Sequence, residues 1–143
     1  MPQSRNDMTD TRPSLDELTA QLIEFRDARD WRQFHSLKDL ILSLSLEASE
    51  LLELSQWQPE ARFEEDAARE PVQQRLKEEC ADVLLYLLLI AERTGIDLQV
   101  AAAEKITANN AKYPVEKSRG TSCLLYTSPS PRDLSKSRMP SSA

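Results

Sequence analysis

The chain has 143 residues, with 18 Lys plus Arg against 24 Asp plus Glu, and a formal charge of -6. Its length and 40% hydrophobic content suit one domain with a modest core rather than a two-domain enzyme. Only two glycines exclude a phosphate-cradling Gly loop or a dinucleotide fingerprint, and the acidic balance disfavours nucleic-acid polymers, which need clustered Lys and Arg.

Residues 1–13 are polar and end in Arg12-Pro13, so a flexible lead is expected there. They lack the apolar stretch of a secretory signal, and no run in the chain is long enough to cross a membrane, which makes the cytoplasm the expected compartment. Ser14-Leu15-Asp16-Glu17 forms a capping box, and Leu15, Leu18, Leu22 and Phe25 follow at helical spacing, predicting a first helix. From Arg26 to His35 the periodicity breaks, with Trp31 and Phe34 among charges, and a packed loop is expected.

Ser36 is the expected cap of a second helix running from about Leu37 to Trp57. Leu37, Leu40, Ile41, Leu44, Ala48 and Leu51 form one stripe while Leu42, Leu46 and Leu54 point elsewhere, which predicts a helix enclosed by neighbours. Residues 59–70 read as a charged connector. Pro71 suits a first helical position, and a third helix carries Val72, Leu76, Cys80, Val83, Leu84, Leu87, Leu88 and Ala91 as far as a Thr94-Gly95 cap. Asp97 is the expected cap of a fourth helix that stops before Pro114. Residues 14–120 thus form the expected all-α domain. The Ser- and Pro-rich residues 121–143 are expected to be disordered, and they resemble translated cloning sequence.

Chemistry concentrates in two acidic steps on apolar helices, Glu47 with Glu50 and Glu79 with Asp82. Each step is i,i+3 and occupies one helical face, so two facing helices could bring four carboxylates to one point. Packed like charges repel, raise their pKa values or require a cation, and oxygen ligands with retained waters suit Mg²⁺. The plainer alternative is four solvated surface acids. A di-iron bundle needs two Glu-x-x-His steps, whereas His35 is the sole histidine. Glu53 flanks the quartet, either ordering a metal-bound water or simply solvated. Cys80 and Cys123 are read as free thiols, Cys80 as a small core residue.

The stretch FRDARDWRQFHSLKDLILSLSLEASELLELSQW, followed by EECADVLLYLLLIAERTGIDL and EKITANNAKYPVEKSRG, resembles the MazG-like all-α nucleoside triphosphate pyrophosphohydrolases, closest to the dCTP pyrophosphatase branch. The resemblance runs from about Phe25 to Gly120, apart from the connector. It implies a four-helix bundle completed by dimerisation, as a homodimer or homotetramer. It also implies Mg²⁺-dependent hydrolysis of a deoxynucleoside triphosphate to monophosphate and pyrophosphate, with dCTP or a modified dCTP favoured. Glu47, Glu50, Glu79 and Asp82 match the family's metal-binding acids. The first step reads ExxE, with Leu46 where a further Glu stands in the longer form of the motif.

Lys105 and Asn109 match positions that address phosphate and sugar groups, and their i,i+4 spacing puts both on one face. Trp31, His35, Trp57 and Tyr86 match positions around base and deoxyribose, where aromatic faces can stack, and Lys38 stands where the family carries a basic residue. Arg119-Gly120 continues a family-like segment after the fourth helix. Two other readings stay open. One is a noncatalytic helical nucleotide sensor or interaction module. The other is a pyrophosphohydrolase for noncanonical nucleotides, since aromatic contacts do not fix base identity.

Overall fold

The computed structural model describes residues 10–120. They are helical, with no strand among the described residues: α1 is Leu15–Ala28, α2 Leu37–Ser55, α3 Glu60–Ala67, α4 Val72–Thr94, α5 Leu98–Lys112 and α6 Val115–Ser118, and a single 3₁₀ turn covers Arg32–Phe34. No helix is long and apolar enough to cross a membrane among these residues. Residues 1–9 and 121–143, where a flexible lead and a disordered tail are expected, lie outside the described residues. The chain divides into two compact units, one ending at Ile96 and the other beginning at Asp97.

In the first unit α4 is the central rod, packed by α1, α2 and α3. Leu40 and Leu54 of α2 and Leu88, Leu89 and Ala91 of α4 are its buried apolar residues. Leu40, Leu51 and Leu54 lie on one side of α2 at 100° per residue, and that side meets α4. The rest of α2 is more open than the apolar pattern predicts. Leu54 is buried as expected, but Leu42 and Leu46 are 59% and 57% exposed, and Ile41 and Leu52 are also exposed. The described part of this chain does not supply the neighbours that the all-round apolarity of α2 calls for.

The helix ends follow from local chemistry. Ser14, Ser36 and Asp97 each accept a hydrogen bond from the backbone N–H three residues on, all at 3.1 Å, satisfying donors that have no intrahelical partner. Gly95 ends α4 in the left-handed conformation, φ 73°, which costs a residue without Cβ nothing. Three features differ from the sequence pattern. α1 continues through Arg26 to Ala28, because Arg26 is buried by ion pairing rather than by apolar character. The expected connector 59–70 contains α3, whose Phe63 is half-buried. Pro71 caps α4 instead of occupying its first turn.

The second unit contains α5 and α6. α5 starts at the Asp97 cap and ends at Tyr113, whose N–H donates to the Asn109 carbonyl at 2.8 Å. Pro114 then provides the N-cap of α6.

Candidate functional site

The α2–α4 contact brings the acidic steps together. Glu47 lies on the side of α2 occupied by Leu40, Leu51 and Leu54, so it turns toward α4 and is half-buried there. Glu50, three residues on, sits toward the open edge. One carboxylate oxygen from each of Glu47, Glu50 and Glu79 lies within 4.8 Å of the other two. Oε2 of Glu47 and Oε2 of Glu79 are both buried and accept no hydrogen bond. Orphaned buried acceptors of this kind are costly unless something outside the chain satisfies them.

The electrostatics agree with the geometry. Burial is the first cause that pushes the Glu47 carboxyl above its ordinary range, with contact and repulsion from Glu50 next and repulsion from Asp82 and Glu79 after that. Glu79 is also pushed up, first by loss of solvent, then by Glu50 and Asp82, with Arg75 opposing. Glu78, next to this cluster, accepts instead from the Gln74 side chain at 3.1 Å and points to the surface network of α4.

Asp82 is not part of the close trio. It instead lines a neighbouring cavity of about 150 Å³. α4 lines that cavity with Asp82, Leu85, Tyr86 and Leu89, α1 with Leu22, Phe25 and Arg26, and the following turn with Trp31 and His35. Asp82 lines this cavity and is also near enough to repel Glu47 and Glu79, so the cavity lies beside the acid cluster. Nδ1 of His35 is buried and has no hydrogen-bond partner. Trp31 stands edge-on to Phe25, ring centroids 5.7 Å apart at 77°, and the Arg29 guanidinium lies 3.7 Å from the Phe25 ring centre. Stacked cations and edge-to-face rings hold such a wall in place.

Of the residues singled out in the sequence, Trp31, His35, Tyr86 and Asp82 thus meet at one cavity, and Glu47, Glu50 and Glu79 meet beside it. Glu53 and Lys38 are exposed on α2 and belong to neither group. Trp57 is 97% exposed, its backbone is left-handed with φ 64°, and it does not line the cavity. In the second unit, Lys105 is exposed and Asn109 half-buried, both on α5. Cys80 is exposed and free rather than a core residue, because it faces away from the α2 contact that Glu79 enters. Cys123 lies outside the described residues.

Arg26 is the cavity residue that apolar periodicity misses. It is 5% exposed, its Nε donates to Asp27 Oδ1 at 2.9 Å and its Nη1 to Glu92 Oε2 at 3.2 Å. The bond to Asp27, more than the loss of solvent, decides that its guanidinium holds its proton more tightly than usual. A charged residue flanked by Phe25 at the end of an apolar stripe was the available signal.

The donor set is hard oxygen, with Glu47 and Glu79 half-buried and each holding an oxygen without a partner, so it fits a divalent cation with an oxygen preference. Comparison with known proteins agrees with the all-helical fold. The MazG-like family matches residues 42–123, which includes all four acids. A rat (Rattus norvegicus) dCTP pyrophosphatase 1 is 40% identical over 111 residues, 78% of this chain and 65% of that protein. The human (Homo sapiens) dCTP pyrophosphatase 1 is 36% identical over 110 residues, 77% of this chain and again 65% of that protein. The chain therefore spans slightly less than two thirds of these relatives. A crystal structure of a pyrophosphatase from Archaeoglobus fulgidus superposes with a TM-score of 0.67 at 38% identity, covering 72% of this chain and 94% of that one. On the match across its acid-bearing helices and on the shared fold, the chain belongs to the MazG-like family.

Proposed function

We propose that the chain is a Mg²⁺-dependent nucleoside triphosphate pyrophosphohydrolase. It converts a deoxynucleoside triphosphate, dCTP or a modified dCTP by preference, to the monophosphate and pyrophosphate, and so clears unwanted nucleotides from the pool. The observation that carries this reading is a carboxylate cluster with two orphaned oxygens beside an aromatic cavity lined by Asp82, the acid that repels Glu47 and Glu79. The similar rat and human proteins named dCTP pyrophosphatase 1 support the choice of substrate.

In this reading Glu47, Glu50, Glu79 and Asp82 hold the cation and are the catalytic acids. When bound, the ion supplies charge neutralisation for phosphate oxygens and polarisation of water. Trp31, His35 and Tyr86 take the base and deoxyribose, with the unpartnered His35 Nδ1 making a ligand contact. Lys105 and Asn109 are assigned the phosphate and sugar contacts, and Lys38, Trp57 and Glu53, which lie outside both the acid cluster and the cavity, take no part within one chain. Water attacks the α-phosphorus, the bond from it to the bridging oxygen breaks, and pyrophosphate leaves. No covalent protein intermediate is needed, and no convincing Ser-His or Cys-His pair exists in the sequence to form one. The chain acts as a homodimer or homotetramer, for which the exposed leucines of α2 provide apolar surface, and it works in the cytoplasm.

The test is a panel of dNTPs, NTPs and 5-substituted dCTPs assayed for pyrophosphate and orthophosphate, with and without Mg²⁺. Steady release of pyrophosphate and dNMP, fastest with dCTP or a modified form, is expected. Orthophosphate alone would place the cut at another bond, and full turnover by both Glu47→Ala and Asp82→Ala would remove the acids from the mechanism.

A further inference from the structure

α1 ends in a Schellman motif that hands Trp31 to the cavity. The Trp31 N–H donates to the Arg26 carbonyl and the Asp30 N–H to the Asp27 carbonyl, both at 3.1 Å, the two nested bonds that close such a helix end. Asp30 takes the left-handed position of the motif, φ 53°, where glycine is the usual residue. The Gln33 amide steadies it by donating to its carbonyl at 3.0 Å and to its carboxylate at 2.9 Å. Trp31, just past this residue, folds back against Phe25 in the last turns of the helix. The apolar contact that closes the helix end is thus made by two rings that also line the cavity with Asp82 and Tyr86.

Arg29 is the cap residue of this end, and it does not line the cavity. Its guanidinium lies 3.7 Å from the Phe25 ring centre and 5.9 Å from that of Trp31, and its Nη1 donates to the Phe25 carbonyl at 2.9 Å. No carboxylate among the described residues forms an ion pair with it. This cation is therefore held by two rings and one carbonyl, and in turn it holds the rings, because a planar guanidinium stacks on an aromatic face. Trp31 is 43% exposed, so its ring has room to swing once that contact is gone. A ring that occupies its ligand-ready position only part of the time weakens binding by that fraction.

We infer that Arg29 is a positioning residue: stacked on Phe25 and set against Trp31, it keeps the Trp31 ring where it meets the nucleotide. Its loss weakens binding through Trp31 and leaves the carboxylates untouched. The inference rests on the hydrolase reading above for the identity of the ligand.

Trp57→Phe leaves Trp31 as the sole tryptophan of the chain, so emission in that background reports the ring directly. With chelator present, dCMP should quench this emission and shield the ring from acrylamide. Arg29→Ala should raise the dissociation constant about fivefold and make Trp31 easier for acrylamide to reach before any ligand is added. Arg29→Lys should recover part of both, since an ammonium meets a ring without the guanidinium plane. With Trp57 intact, Arg29→Ala should raise KM for dCTP about fivefold and leave kcat within about twofold of wild type. The deciding comparison starts from Trp31→Leu, where adding Arg29→Ala should change KM by less than about twofold.

A loss that persists in full without Trp31 would make Arg29 a direct ligand contact or a general prop of the fold, and would overturn the inference. A fall in kcat at unchanged KM would do the same. Should Arg29→Ala lose its cooperative melt, Arg29→Lys with and without Trp31→Leu gives the same comparison. A chain that releases pyrophosphate while dCMP moves neither Trp31 emission nor its acrylamide access overturns the inference and leaves the hydrolase reading standing. A chain that releases none, yet binds dCMP at Trp31 with the dependence on Arg29 given above, overturns the hydrolase reading alone. Neither turnover nor binding would sink both.

Discussion

Glu47 and Glu79 hold their carboxyl protons more tightly in the folded chain than in the unfolded one, first because burial removes water from them and then because other acids surround them. Without a cation, each therefore favours folding below the ordinary carboxyl value of 4.5 and loses that contribution as pH rises through the elevated folded value. Glu47→Gln removes one member of the cluster. In chelator it should match wild type in melting temperature at about pH 4 and exceed it at neutral pH, where wild type bears the repulsion. Added Mg²⁺ should reverse the order at neutral pH, stabilising wild type and not the variant. Thermal melts across pH, with chelator and with Mg²⁺, check this. A variant less stable than wild type in chelator at neutral pH would mean that the acids are held by contacts within the chain. Pyrophosphate release by the variant is expected to fall at least about 100-fold.

At the scale of elements, much was legible before any coordinates, because caps and periodicity are local. Ser14, Ser36 and Asp97 could be assigned from residue type and position, and each accepts the expected N–H. Gly95 could be assigned because α4 needed a left-handed stop. α3 was not legible, since EARFEEDA offers Phe63 as its one large apolar residue and helical period needs several. It is organised by an Arg62–Asp66 pair at 3.2 Å one turn apart and by packing on α4. Ser36 supports α2, the helix that delivers Glu47 and Glu50. Ser36→Ala should cost about 1 kcal/mol of stability. The N-cap is eleven residues from Glu47, so kcat should stay within about twofold of wild type at temperatures where the variant remains folded. Denaturant titration gives the first quantity and a pyrophosphate assay the second; an unchanged midpoint would mean that water replaces the cap without loss.

For the whole molecule, the acid pairs were readable as two steps on two rods, but not the division of labour among them. Three carboxylates converge and Asp82 turns to the cavity, a consequence of helix rotation and packing angle that no spacing rule supplies. The aromatic cavity likewise depends on Arg26, whose burial comes from a partner 66 positions away. The apolarity of α2 was plain in sequence, yet within the described chain Ile41, Leu42, Leu46 and Leu52 stay exposed on the sector away from Leu40 and Leu51. Contiguous exposed apolar surface on one helix is the mark of an association face. A second copy of the chain packed there would remove these side chains from water and brace the helix that bears Glu47 and Glu50. Sedimentation of the wild type should therefore give the mass of a dimer or a tetramer. Leu42→Glu and Leu46→Glu together place two charges in the face, where burial without partners is prohibitive, so the variant should sediment as a monomer with reduced thermal stability. Its pyrophosphate release should fall as well, since α2 would lose its outer support while the four acids remain in place. A wild type that sediments as a monomer, or a double variant that keeps the wild-type mass, would show that these leucines are simply exposed.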